Sequence, residues 1–209
     1  MLVDEIVKLF EKQYNYGKQS TKELMGYCQV SIEKFVFSKV YEMLFGMYLC
    51  NATDDDIELT KKMLQLKKFK GSRLMKILEF KSKYIVVTEE EEKKGKFGYE
   101  NSIKAINKIK HLLYPHEKLA QIMQMYADMK TTVIDYSKGK SELITMDDQM
   151  PIFIYIMAMC TLSHPLTELN FLSDYLNYRD KGYDTEQQLV TNLQASLMYI
   201  LKDFNIPEE

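Results

Sequence analysis

MDDQMPIFIYIMAMCTLS, residues 146–163, decides the fold: two acids stand before a run, Met150 to Leu162, that holds no charge. A helix that is apolar on every side has no face that prefers water, so it is buried. The run is shorter than the ~20 residues that a bilayer-spanning helix needs. It is predicted to be the central helix, about 147–163, of an all-α layered helical domain preceded by short N-terminal helices. Pro151 is expected in the first turn, where an amide has no acceptor within the helix and the fixed φ of the ring already suits it. Asp147 and Asp148 admit two readings. A carboxylate at a helix start caps free amides and lies at the positive end of the dipole. Alternatively, one acid projects from the end of a rigid rod toward a partner.

The 209 residues fit one domain, or one domain with a helical extension, long enough for a sizeable core. Lys plus Arg number 28 against 30 Asp plus Glu, and a net charge of −2 gives no reason to expect nucleic acid. Cys28, Cys50 and Cys160 are far apart and lie in apolar helical stretches, which points to reduced core thiols in the cytosol. His111, His116 and His164 show no ligand spacing with them, so neither a metal nor a cofactor is expected. The start MLVDEIVKLF carries an acid too early, and too little apolar length, for a signal peptide. Only KYIVVT, residues 83–88, alternates in period two, in keeping with an all-α chain.

Taken in order, residues 2–14 are predicted as a short amphipathic helix, and a longer one runs from Ser20 to about Tyr48 with a break near Gly26. Ile32, Phe35, Val36, Val40, Leu44 and Tyr48 are its expected buried face. Asn51 to Asp56 reads as a loop whose acids open a new helix, Ile57 to Phe69, followed by Arg73 to Phe80. EEEEKKGK, residues 89–96, reads as a solvated loop. Helices are then expected from Tyr99, from Pro115 (stripe Leu119, Ile122, Met123, Tyr126, Met129, Val133) and from Thr167 to Tyr178. The last helix, about Thr185 to Phe204, pairs a core stripe (Leu189, Leu193, Leu197, Ile200, Phe204) with an opposite one of Gln188, Thr191 and Ala195. That second stripe is small and uncharged, as a contact surface or a half-buried face would be.

No arrangement for covalent chemistry emerges. Gly95 and Gly98 do not form a phosphate-binding loop, and the histidines have no matched nucleophile. Neighbouring acids at a helix start diverge, so Asp147 and Asp148 do not make an acid–base pair. The features that remain belong to a protein that works by binding.

Those features resemble the vacuolar protein sorting nine domain of Rab guanine-nucleotide exchange factors. The core motif of that family, an acid pair, two residues, proline and an apolar helix, is similar to Asp147-Asp148-Gln149-Met150-Pro151 and IFIYIMAM here. Upstream, IEKFVFSKVYEMLFG (32–46), NATDDDIELTKKMLQLKKF (51–69) and SIKAINKIKHLLYPHEKLAQIM (102–123) look like its earlier helices, with Pro115, Glu117, Lys118 and Leu119 especially similar. Downstream, ELNFLSDYL and LVTNLQASLMYI look like its last two, and HPLTELNFLSDYL is similar to the alsin-like branch. The resemblance runs in order over about 28–204, which divides the chain into a helical extension, 1–27, and the domain, 28–205.

The resemblance implies binding to a small Rab GTPase of the early-endosomal Rab-five type in its nucleotide-free or GDP form. It also implies a cytoplasmic location with recruitment to endosomal membranes, no direct membrane insertion and room for a larger assembly. By position, Asp147 takes the role of an aspartate finger. Asp148, Pro151, Gln188, Thr191, Asn192 and Ala195 are the expected GTPase contacts. The family has a tyrosine three residues before the threonine, and Gln188 stands in that place. An active exchange factor is therefore weighed against a degenerate domain that only binds Rab or serves as a scaffold, and against an unrelated helical structural protein.

Overall fold

Charge-free sequence becomes buried helix: from Ile152 to Ala158 every side chain of MDDQMPIFIYIMAM is buried. The computed structural model describes residues 2–13, 18–69, 71–137, 145–178 and 182–205. In chain order the helices are α1 (Leu2–Gln13), α2 (Lys18–Leu66), α3 (Gly71–Ile77), α4 (Glu89–Lys93), α5 (Glu100–Lys108), α6 (Pro115–Tyr136), α7 (Met146–Met159), α8 (Pro165–Asn177) and α9 (Asp184–Met198). Among the described residues there is no strand, and KYIVVT holds the end of a 3₁₀ turn, Ser82–Tyr84, followed by unpaired extended chain. The predicted all-α layered domain is thus observed. α5, α8 and α9 pack around α6, while α2, α3, α5 and α9 meet α7.

The central helix starts close to the predicted residue 147, but Pro151 does not lie in its first turn. α7 begins five residues before the proline, at Met146, with Thr145 in the N-cap place, so the proline lies inside the helix. Its missing amide leaves the carbonyl of Asp147 without the usual partner four residues on. Neither acid is the N-cap residue; both lie in the first turn, where the dipole still favours negative charge.

α2 also departs from expectation, because the chain stays helical through Gly26 and through Asn51 to Asp56. The boundary read between residues 27 and 28 falls within it. No proline interrupts this span, and Asp56 is not a first-turn charge. Asp56 is buried and accepts the amides of Leu166 (2.8 Å) and Thr167 (3.1 Å) and the Thr167 hydroxyl (2.5 Å), so it caps α8 from a distance in sequence. The core face of α2 is also rotated from the predicted one: Phe37, Tyr41, Phe45 and Tyr48 each set a ring edge-on to Phe171 of α8, whereas Phe35 is 68% exposed.

Beside this aromatic row lies Lys118, wholly buried, its Nζ 2.5 Å from Glu168 and 2.9 Å from the Tyr41 hydroxyl. The pair joins α2, α6 and α8. The acidic run corrects another expectation, since Thr88 and Glu91 form a capping box that starts α4. Glu92 then accepts the backbone amide of Ser72 and, at 3.0 Å, its hydroxyl, which fastens α4 to α3. Gly71 leaves room for this contact, since a Cβ there would meet Glu92 Oε1 and the Tyr155 hydroxyl at 2.9 Å and one of these side-chain ends would have to shift. Among the cysteines only Cys160 is a core thiol, pushed up to about 11 by burial; Cys28 is half-buried and Cys50 exposed.

Candidate functional site

Successive residues of a helix point about 100° apart, so the two acids of α7 have different surroundings. Asp148 turns inward, with 4% of its side chain exposed. Its Oδ1 lies 2.6 Å from Lys81 Nζ and its Oδ2 accepts the Tyr84 hydroxyl at 3.0 Å. Desolvation pushes the Asp148 carboxyl upward, but hydrogen bonds from Lys81, Tyr84 and Thr145 prevail and hold it below the usual carboxylate range. Asp147 is exposed and has no hydrogen bond or ion pair with any described residue. Of the two, it alone has free oxygen lone pairs facing outward.

The outer face of α9 lies beside it. Asn192 Nδ2 reaches Met146 Sδ at 3.8 Å and the Ser196 hydroxyl donates to Met150 Sδ at 3.2 Å. Both contacts step forward by four residues on each helix, so α7 and α9 run parallel, and the first two turns of α9 extend past the start of α7. On that face Gln188, Thr191 and Ala195 are exposed and Asn192 is half-buried, while Leu189, Leu193, Leu197 and Ile200 face the core as the periodicity predicts. The Thr191 hydroxyl donates to the Gln187 carbonyl at 2.9 Å, which leaves its lone pairs toward solvent. Met146 and Tyr199, 46% and 40% exposed, add apolar area.

Of the residues expected as contacts, Gln188, Thr191, Asn192 and Ala195 share this face beside Asp147, and Pro151 is half-buried in α7. Asp148 is turned away from it, its oxygens taken by Lys81 and Tyr84. Those two partners are absent from the sequence reading. The spacing Phe80 to Tyr84, two aromatics four apart around Lys81-Ser82-Lys83, is the one signal that marks them. A groove of about 510 Å³, lined by His116, Met123, Ala127 and Tyr183 among others, shares no residue with this face. Among the described residues no group of three His, Cys, Asp or Glu is placed to hold a metal ion, and no helix is long and apolar enough to cross a membrane. An exposed carboxylate at a helix start, next to a small neutral surface, can pair with a cation delivered by a partner.

The model of the vacuolar sorting protein 9 (VPS9) domain matches residues 99–205, half of the chain, from the residue before α5 to the last described residue. The chain is also similar to the ALS2 C-terminal-like protein of Bos taurus, 22% identical over 184 residues, which cover 80% of this chain and 18% of that protein. The chain thus spans about a fifth of the length of the curated relative it matches.

Proposed function

The chain belongs to the VPS9 domain family, which implies a role of the guanine-nucleotide exchange type toward small GTPases, and from that premise we infer that it releases GDP from a Rab of the early-endosomal Rab-five type, with Asp147 as the acid that enters the nucleotide site. The observation that carries this reading is the position of an exposed carboxylate, without a partner among the described residues, beside the small, neutral face of Gln188, Thr191 and Ala195. GDP is held in such GTPases by a phosphate-binding lysine and by Mg²⁺. A carboxylate brought to that lysine competes with the phosphates. At about 4 Å and an effective dielectric near 20 the contact is worth roughly 4 kcal/mol before desolvation. Half of that weakens nucleotide binding about 30-fold. The rest comes from docking the switch segments of the GTPase on the α7/α9 face. Recruitment to endosomal membranes would rest on a partner or on a segment outside this sequence.

Gln188 favours a second reading, a domain that binds Rab without exchanging it, because an amide lacks the stacked area of the family tyrosine. Release of fluorescent GDP from a panel of early-endosomal Rabs, beside capture by nucleotide-free and GTP-loaded forms, separates the two. Exchange predicts catalysed release and preference for the empty form, with Asp147→Ala abolishing release at a stability change of only about 0.3–1 kcal/mol from the lost dipole contact. Preference for the GTP form without release supports the binding-only domain. Full release by Asp147→Ala removes the finger from the mechanism.

A further inference from the structure

We propose that Lys81 and Tyr84, in the turn after α3, are positioning residues for exchange: they pin Asp148 inward and thereby set Asp147 outward as the acid of the pair presented to the GTPase. The inference rests on the reading of Asp147 as the finger, and it concerns a segment outside the residues matched by the family model.

The turn is built to be rigid. Phe80 and Tyr84 are buried, with Lys81, Ser82 and Lys83 exposed between them. The Phe80 ring packs edge-on against Tyr99 and Tyr155, the latter from α7 itself, with centroids 6.3 and 5.9 Å away. The Tyr99 hydroxyl donates to the Tyr84 carbonyl at 2.9 Å. The same core that buries α7 therefore fixes the turn that grips its first residues. From this anchor the Tyr84 hydroxyl (3.0 Å) and Lys81 Nζ (2.6 Å) reach the two oxygens of Asp148, one each. Because residue 147 diverges from 148 by about 100° around the helix, locking one side chain inward aims its neighbour outward. Lys81 also cancels the charge of Asp148, so that a docking cation meets one free carboxylate instead of two competing ones. Lys81 is 63% exposed, so its contact with Asp148 adds little to folding, and its value lies in geometry.

The test uses the full chain and the early-endosomal Rab whose fluorescent GDP it releases fastest. Lys81→Ala, Tyr84→Phe and the double variant are expected to lower kcat for release about 10- to 100-fold, as misplacing a reacting group by ~1 Å does. KM for the GTPase should change less than about twofold, and Lys81→Arg, which keeps the charged donor, should recover most of the rate. Thermal unfolding run in parallel identifies a variant that fails to fold, and Lys81→Ala, truncating an exposed side chain, supplies the result if Tyr84→Phe does so. A double variant that releases GDP at the full rate overturns the clamp while leaving the finger in place. So does a rate that rises on freeing Asp148, or a loss confined to KM, which would make Lys81 a docking contact. An unaltered chain inactive on every Rab of the panel overturns the exchange reading itself, and the clamp with it.

Discussion

Replacing Lys118 by methionine leaves Glu168 buried without its cation. The lysine Nζ sits 2.5 Å from the carboxylate, 2.9 Å from the Tyr41 hydroxyl and 5.1, 5.3 and 6.0 Å from the ring centroids of Tyr41, Phe45 and Phe171. What remains near Glu168 is His164, which favours its charge, and Asp56, which opposes it. Breaking a buried pair from one side costs about 3–5 kcal/mol, because the surviving charge has lost its counter-ion but not its desolvation. At 1.4 kcal/mol per decade that is roughly 140- to 4000-fold in the folding equilibrium. Equilibrium urea unfolding measures it directly.

The pH dependence gives the argument a sign. Burial raises the Glu168 carboxyl above its ordinary value, and Lys118 pulls it back. Without Lys118 the folded value rises further above the unfolded one. A carboxyl raised in the folded state stabilises the fold below its unfolded pKa and ceases to do so as pH climbs through the folded one. The deficit of Lys118→Met should therefore be smaller at pH 4 than at pH 7. Lys118→Met with Glu168→Leu removes both charges and should return to within about 1 kcal/mol of the original stability. A single variant costing under about 1 kcal/mol, or a deficit that grows toward pH 4, would refute the account of the pair.

Two further outcomes follow from single contacts. Asp56→Ala strips two backbone amides at the start of α8 of their acceptors and should cost about 2–3 kcal/mol in urea unfolding, whereas a loss under about 0.5 kcal/mol would show that α8 needs no remote cap. Gln188→Tyr places a ring on the exposed face beside Thr191 and should raise kcat/KM for GDP release about 5- to 10-fold with stability within about 0.5 kcal/mol; an unchanged or lower rate would mean that a partner does not use the face there.

Where one helix buries all its sides, or one clear stripe, the fold was legible: the middle of α7 and the core stripe of α9 follow their patterns because the segment alone decides burial there. α2 was misread because its ends and its core face depend on partners far away in sequence. Asn51 to Asp56 has the composition of a helix start, yet the cap that Asp56 provides belongs to α8, more than a hundred residues on. Phe35 and Phe37 are equally apolar in the sequence, and the ring of Phe171 chooses Phe37. Lys118 reads as one more surface cation in an amphipathic helix until Glu168 and three rings close over it. The acidic run read as loop because four adjacent glutamates repel, while the capping box and the amide of Ser72 give two of them, Glu91 and Glu92, local partners.

At the candidate site the same distinction separates what could be read from what could not. An acid pair before an apolar helix, and a neutral stripe on the last helix, are patterns within single segments, and both were visible. Which acid is free is a property of two segments. In sequence Asp147 and Asp148 differ by one place, and only the neighbour across the fold tells them apart: Lys81 and Tyr84 reach one and not the other. Mutating the pair together would therefore mix two roles, because losing Asp147 removes the charge that is presented and losing Asp148 removes the anchor that aims it. On this account Asp147→Asn should abolish GDP release without altering the Lys81 contact. Asp148→Asn keeps a shape that can still accept the Tyr84 hydroxyl and gives up the ion pair, so it should fall between Asp147→Asn and the unaltered chain. Two equal losses would mean that the acids share one function, contrary to their opposite burial.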